Sequence, residues 1–98
     1  MSLPVVLRAA AQAEFEEAVV WYDGRRAGLG ADFAEAVQAV LDVIAAHPER
    51  HAFADGDVRE ALVAGFPYCV YFRVRMGYVV VIAVFDTSRD PAVWQGRR

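Results

Sequence analysis

Tyr68-Cys69-Val70-Tyr71-Phe72-Arg73-Val74-Arg75, then Met76-Gly77, then Tyr78-Val79-Val80-Val81-Ile82-Ala83-Val84-Phe85 is the stretch that decides the fold. Its first eight residues alternate. Tyr68, Val70, Phe72 and Val74 share one face of a strand, and Cys69, Tyr71, Arg73 and Arg75 share the other. The last eight are almost wholly apolar, which is the pattern of a strand covered on both faces. Met76-Gly77 is a tight connection between them, so the two strands pair antiparallel.

Reading outward from this hairpin, Val58 to Val63 is a further strand, with Ala64-Gly65-Phe66-Pro67 as its turn. The three strands make an antiparallel meander. Pro48 to Asp57 reads as a polar loop. Asp86 to Arg98 is polar, and Asp90-Pro91 starts a terminal helical turn. Upstream the period changes from two to about 3.6. Ala11, Phe15, Ala18, Val19 and Tyr22 mark one face of a helix over Ala10 to Arg26. Acids near its start and Arg25-Arg26 at its end suit the helix dipole, and its carboxylates read as a solvated face. Phe33, Val37, Val40, Leu41 and Ile44 mark a second helix from Gly30 to His47, which Pro48 stops. Ala27-Gly28-Leu29-Gly30 is the turn between them, so the helices form an antiparallel hairpin. Leu3 to Arg8 is a short β-branched strand, placed at an edge by Pro4. The fold class expected is α+β in the order β-α-α-β-β-β, a two-layer arrangement with the helical hairpin on one face of a mostly antiparallel sheet.

The 98 residues suffice for a single domain spanning 1–98. With 57 % hydrophobic and 23 % charged residues, the chain lies far from the composition of disordered segments. A single cysteine, Cys69, makes no internal disulfide, and no apolar run reaches the length of a membrane helix. Met1-Ser2-Leu3-Pro4 lacks the pattern of a signal peptide, so a cytoplasmic protein without membrane association is expected. All ten basic residues are arginine, against 13 acids. Residues 1–56 carry nine acids and four arginines, and residues 57–98 four acids and six arginines. An acidic chain is a poor nonspecific nucleic-acid binder, but the basic second half leaves room for a local anionic partner.

Catalytic constellations are scarce. His47 and His51 have a metal-ligand spacing, yet Pro48 between them keeps them off one helical face, and no further ligand completes a site. We expect no metal and no cofactor. Cys69 inside a strand reads as packing rather than as a nucleophile. Gly24, Gly28 and Gly30 read as turn glycines; no Gly-Lys-Ser or Gly-Lys-Thr makes them a phosphate loop. The arginines are the informative set. Arg73 and Arg75 share a strand face with Tyr71, Arg59 lies on the neighbouring strand, and Arg89 follows the last one. If the helices cover one face of the sheet, Arg59, Tyr71, Arg73, Arg75 and Arg89 can line the open one. Guanidinium groups beside an aromatic suit carboxylates and phosphates, so this face is the expected docking surface for an acidic protein segment or for RNA.

The residues also resemble a family. Val58-Arg59-Glu60-Ala61-Leu62, Gly65-Phe66-Pro67-Tyr68-Cys69-Val70-Tyr71-Phe72-Arg73-Val74, Val81-Ile82-Ala83-Val84 and Ser88-Arg89-Asp90-Pro91-Ala92-Val93-Trp94 resemble the ParE toxins of the RelE/ParE superfamily of type II toxin–antitoxin systems. Ala18-Val19-Val20-Trp21-Tyr22, Gly28-Leu29-Gly30-Ala31-Asp32-Phe33 and Ile44-Ala45-Ala46-His47-Pro48-Glu49-Arg50 are similar to its helical hairpin. The resemblance implies a toxin held inactive by a ParD-like antitoxin that folds on binding. It implies DNA gyrase as the target, with operator DNA met only through the antitoxin. RelE-type members of the superfamily cleave mRNA in the ribosome instead. Tyr68 stands where they carry a strand arginine, Asp86-Thr87-Ser88 precede Arg89 where they carry further basic residues, and Trp94 lies near their terminal tyrosine. ParE members commonly carry a histidine at the place of Asp86 and a basic residue at that of Ser88. The resemblance therefore implies a non-enzymatic toxin; the alternatives are a ribosome-dependent endoribonuclease and a degenerate toxin that only binds its antitoxin as a co-repressor. For the antitoxin contact we expect Arg59, Tyr71, Arg73, Arg75 and Arg89, with charge reversal at Arg73 weakening the complex. The stripes from Phe15 to Ile44 are assigned to the core.

Overall fold

The two predicted helices and the four predicted strands all form in the computed structural model, which describes residues 2–97. The elements run β1 (Val5–Leu7), α1 (Ala9–Arg25), α2 (Leu29–Ala46), a 3-10 turn (Pro48–Arg50), β2 (Phe53–Asp55), β3 (Val58–Leu62), β4 (Tyr68–Arg75), β5 (Tyr78–Asp86) and α3 (Ala92–Gln95). The strands make one sheet in the order β1-β5-β4-β3-β2. β1 pairs parallel with β5, and the remaining pairings are antiparallel. The α+β class and the mostly antiparallel sheet are those the sequence predicts. β2 is an addition: it falls inside the segment read as a polar loop. Three residues are too few to register an alternation, and the pairing is extended by Glu60 N–H donating to Ala52 O at 3.0 Å.

β5 carries a bulge. Tyr71 pairs with Ala83, but the next residue, Phe72, pairs with Val81, so Ile82 is the extra residue. Because side chains alternate along a strand, one added residue reverses the phase. Val79 and Val81 face the helices before the bulge, and Val84 faces them after it. Ile82, Ala83 and Phe85 join a second cluster, with Val58 and Trp94. That is why an uninterrupted apolar run, rather than an alternating one, is needed here.

The helices pack closely. A Cβ on Gly30 would lie 2.5 Å from Val19 O and 3.0 Å from Asp23 Cβ. Gly30 is thus a helix-contact residue, and Gly24 lies within α1; neither is the turn glycine expected. Asp23 at the end of α1 accepts from Gly28 N–H at 3.0 Å and Gly30 N–H at 3.3 Å. It caps the start of α2, which has no side-chain cap of its own. Asp23 therefore departs from the predicted solvated face. The dipole reading of α1 holds at its end, where Arg25 lies in the last turn, and fails at its start, where the first turn holds no acid.

Phe33 is fully buried and sits among four rings, with centroids 4.9 Å from Tyr68, 5.1 Å from Phe66, 5.2 Å from Tyr22 and 6.1 Å from Phe15. Such pairs each add about 0.5–1.5 kcal/mol beyond area burial, and they fasten the Phe66-Pro67-Tyr68 turn to the hairpin. Tyr22, Phe33, Val37 and Ile44 are buried, while Phe15, Val19 and Leu41 pack at the margin of the same core, as their spacing predicts.

Two outcomes follow from this packing. Gly30→Ala should cost about 1–3 kcal/mol, the usual penalty of overpacking, read as a lowered urea midpoint at unchanged slope. Cys69 is 1 % exposed, and burial pushes its thiol up to about 11. In the native protein it should stay unlabelled by a thiol reagent at pH about 8 and react fully in denaturant.

Candidate functional site

β1 covers only Val79 to Val81 of β5. Beyond that point the outer edge of β5 meets no strand, and the groups that would have paired need other partners. Glu14 and Arg97 provide them. Val84 N–H donates to Glu14 Oε1 at 3.1 Å, and Arg97 Nη1 donates to Ile82 O at 3.4 Å. Arg97 also grips Glu14 with both terminal nitrogens, Nη1 to Oε1 and Nη2 to Oε2, each at 2.9 Å. This fork geometry is the strong form of the pair, and the Glu14 carboxylate raises the Arg97 pKa. Arg8 Nη1 donates to Arg97 O at 2.9 Å. Glu14 is thus another departure from the predicted solvated face. A signal was present in the sequence: Glu14 lies three residues after Ala11 and four before Ala18, on the stripe that α1 buries.

Next to this lock the seam between α1 and the ends of β4 and β5 opens into a cleft of about 480 Å³. Glu14, Glu17, Ala18, Trp21 and Tyr22 line it from α1, and Pro67, Tyr68, Val84, Asp86, Ser88 and Arg89 from the sheet side. Trp21 is 54 % exposed at its margin, whereas Tyr22 is 9 % exposed. Burial raises the pKa of both Tyr22 and Tyr68, and the Asp86 carboxylate raises each further. Asp86 Oδ1 accepts from Ser88 N–H at 2.9 Å and from Ser88 Oγ–H at 2.7 Å, which holds the loop after β5. Chemically the cleft offers hydrogen-bonding phenols and carboxylates with a single arginine among the described residues. It is suited to holding a donor-rich group and unsuited to stabilising a phosphoryl anion.

The predicted docking residues do not come together on one open face. Arg59 pairs with Phe72, which faces the helices. Its Nη1 donates to His51 O at 2.7 Å and Glu49 O at 3.3 Å, and its guanidinium lies 3.9 Å from the Phe53 ring centroid. The neighbouring strand puts it on the wrong face by one residue of register. Tyr71, Arg73 and Arg75 do share the far face. There Tyr71 stacks on Trp94, with centroids 3.9 Å apart and planes at 16°. Trp94 is 2 % exposed, so the C-terminal segment closes this end of the face that the sequence left open. Burial pushes the Tyr71 hydroxyl up to about 12. Arg73 is 8 % exposed and its Nε donates to Asp57 Oδ1 at 2.7 Å; Arg75 Nη1 reaches Asp57 Oδ2 at 3.4 Å. Glu60, opposite Tyr71, adds a second acid to the face. Arg89 lies apart from them, over the Phe85 ring at 5.0 Å and at the cleft. His47 ends α2 and His51 lies beyond the 3-10 turn, so the two do not share a helical face.

Asp57 gives this arrangement a pH dependence. The hydrogen bond from Arg73, followed by the charges of Arg73 and Arg75, holds its carboxyl below the usual carboxylate range. Stability from a depressed carboxyl is present above the unfolded value of about 3.9 and is lost as pH falls through the folded value. Asp57→Asn should therefore melt lower than the parent above pH about 5 and converge with it in acid. Thermal melts across this range check the shape. Arg73→Glu should lower the melting temperature too, because it places two carboxylates together at a buried position.

No family model matches the chain, and no curated protein matches it. No helix among the described residues is long and apolar enough to cross a membrane. Among solved structures, a chain of the chromosomal ParDE TA system from P. aeruginosa superposes with a TM-score of 0.76. The match covers 87 % of this chain and 96 % of that one, at 11 % sequence identity. The likeness shows that the α+β architecture described above is shared with that chain over most of its length.

Proposed function

We propose that this chain is the toxin of a type II toxin–antitoxin pair, neutralised by a ParD-like antitoxin, inhibiting DNA gyrase when free, and not a ribonuclease. The observation that carries the reading is the fold match to the ParDE chain across 87 % of the sequence. It agrees with the ParE-like runs from Gly65 to Val74 and from Ser88 to Trp94. The cleft supports the non-enzymatic part. Cleaving a phosphodiester needs a base, an acid and cationic stabilisation of the phosphorane. Tyr68, Asp86 and Ser88, which stand where RelE-type toxins carry basic residues, all line the cleft, with Arg89 as its one cation among the described residues. For the antitoxin contact, Arg75 and Arg89 are the arginines of the predicted set that keep exposure; Arg59 and Arg73 serve the fold. Such a protein works in the cytoplasm, where gyrase is.

Tightly induced expression tests this. The expected result is growth arrest with filamentous cells and a DNA-damage response, relieved by co-expression of the neighbouring gene, and loss of gyrase supercoiling with purified protein. Halted translation with cleaved mRNA would instead establish the ribonuclease. Absence of arrest from folded protein that still binds its antitoxin would leave the binding module alone.

A further inference from the structure

We infer that the cleft between α1 and the ends of β4 and β5 is a binding site for a guanidinium group. The inference is independent of the toxin reading, because it rests on the lining alone. Tyr22 is nine-tenths buried and lines the cleft, yet among the described residues its hydroxyl has no hydrogen-bond partner. Tyr68, beside it, has none among the described residues either. Both phenols stand near enough to the Asp86 carboxylate to be influenced by its charge, and Tyr68 also feels Glu14 and Tyr22. Two phenol oxygens and a carboxylate thus converge on one space with acceptor capacity to spare. Neither hydroxyl is sealed in the interior, so a donor entering the cleft can take up their free lone pairs.

The sign of the charge selects the donor. Among the described lining residues, Glu14, Glu17 and Asp86 outnumber Arg89; Arg97 is taken up by Glu14 and Arg25 lies over Trp21 at the margin, so Glu17 and Asp86 are the carboxylates left to an incoming cation. Arg89 is drawn toward Phe85, which belongs to the cluster on the other face. An anion would meet the carboxylates first. A guanidinium fits better than an ammonium for two reasons. Its planar fork reaches several acceptors at once. Trp21 at the margin already holds the guanidinium of Arg25 at 4.5 Å from its ring centroid, the stacking that this group favours. About 480 Å³ accommodates an arginine side chain readily.

The test is a 15N NMR titration that follows the Trp21 indole and the backbone amides of Asp86 to Arg89. The probes are argininamide, lysinamide, inorganic phosphate and a Gly-Gly-Arg-Gly-Gly peptide with capped ends. Argininamide should saturate these signals, lysinamide should bind more weakly, and phosphate should not bind. Asp86→Asn should weaken argininamide about tenfold or more, and Tyr22→Phe about threefold to tenfold. Glu17→Gln alters an exposed side chain with no structural bond among the described residues and keeps the test sound if the loop variant unfolds; it should weaken binding up to about fivefold. Equal affinity for argininamide and peptide marks a free small molecule as sufficient, and a tighter peptide marks a polypeptide side chain as the source. Failure of both arginine probes to saturate, phosphate binding to the same signals, or unchanged affinity in all three variants overturns the proposal.

Discussion

The outer edge of β5 is the constraint around which the molecule is arranged. A strand buried on both faces must still pair its backbone on both edges, and β1 is too short to do so. The Glu14–Arg97 pair completes the edge, joining α1, β5 and the C-terminal segment with bonds of 2.9–3.1 Å. An open β edge is a template for unwanted pairing. Here it is covered by a helix and closed by a charged side chain. The same anchor brings the C-terminal segment back over the sheet, where Trp94 packs on Tyr71 and helps bury Ile82, Ala83 and Phe85.

The bulge at Ile82 makes that second packing layer possible. It turns the end of β5 so that Val84 stays with the helices while Phe85 points the other way. Two clusters therefore share one strand. The larger lies under the helical hairpin. The smaller lies between the sheet and α3, a helix of only four residues that holds its place through one buried indole and the contacts of Arg97.

The arginines show how charge is distributed in a chain without lysine. Arg97, Arg73 and Arg59 each bond to a carboxylate or to backbone carbonyls, and Arg25 and Arg89 lie over aromatic rings. A guanidinium serves all of these roles because it is planar and carries five donors. The far face of the sheet is accordingly less cationic than a count of its arginines suggests, since Asp57 and Glu60 lie on or beside it. The polar concavity is instead on the α1 side, where carboxylates and phenols gather.

Period and length sufficed for most of the architecture. The alternation of Tyr68 to Arg75, the apolar run after it and the stripe from Phe33 to Ile44 are local patterns; spacing gives each residue's face in the first and last of them, while in the apolar run the face also depends on the bulge at Ile82. The fold class, the hairpin and the major strand boundaries were legible for that reason. The face of Arg59, the partner of Arg73 and the role of Glu14 were not. Arg59 depends on strand register, Arg73 on a carboxylate 16 residues away, and Glu14 on a backbone amide 70 residues away. The cleft likewise unites Tyr22 with Tyr68 and Asp86 only after α1 has packed over β5. Sequence alone determined the longer elements, because backbone periodicity is local, while the three residues of β2 are too few to carry a period. Tertiary structure alone decided which charges are free, because pairing depends on distances between side chains that packing brings together.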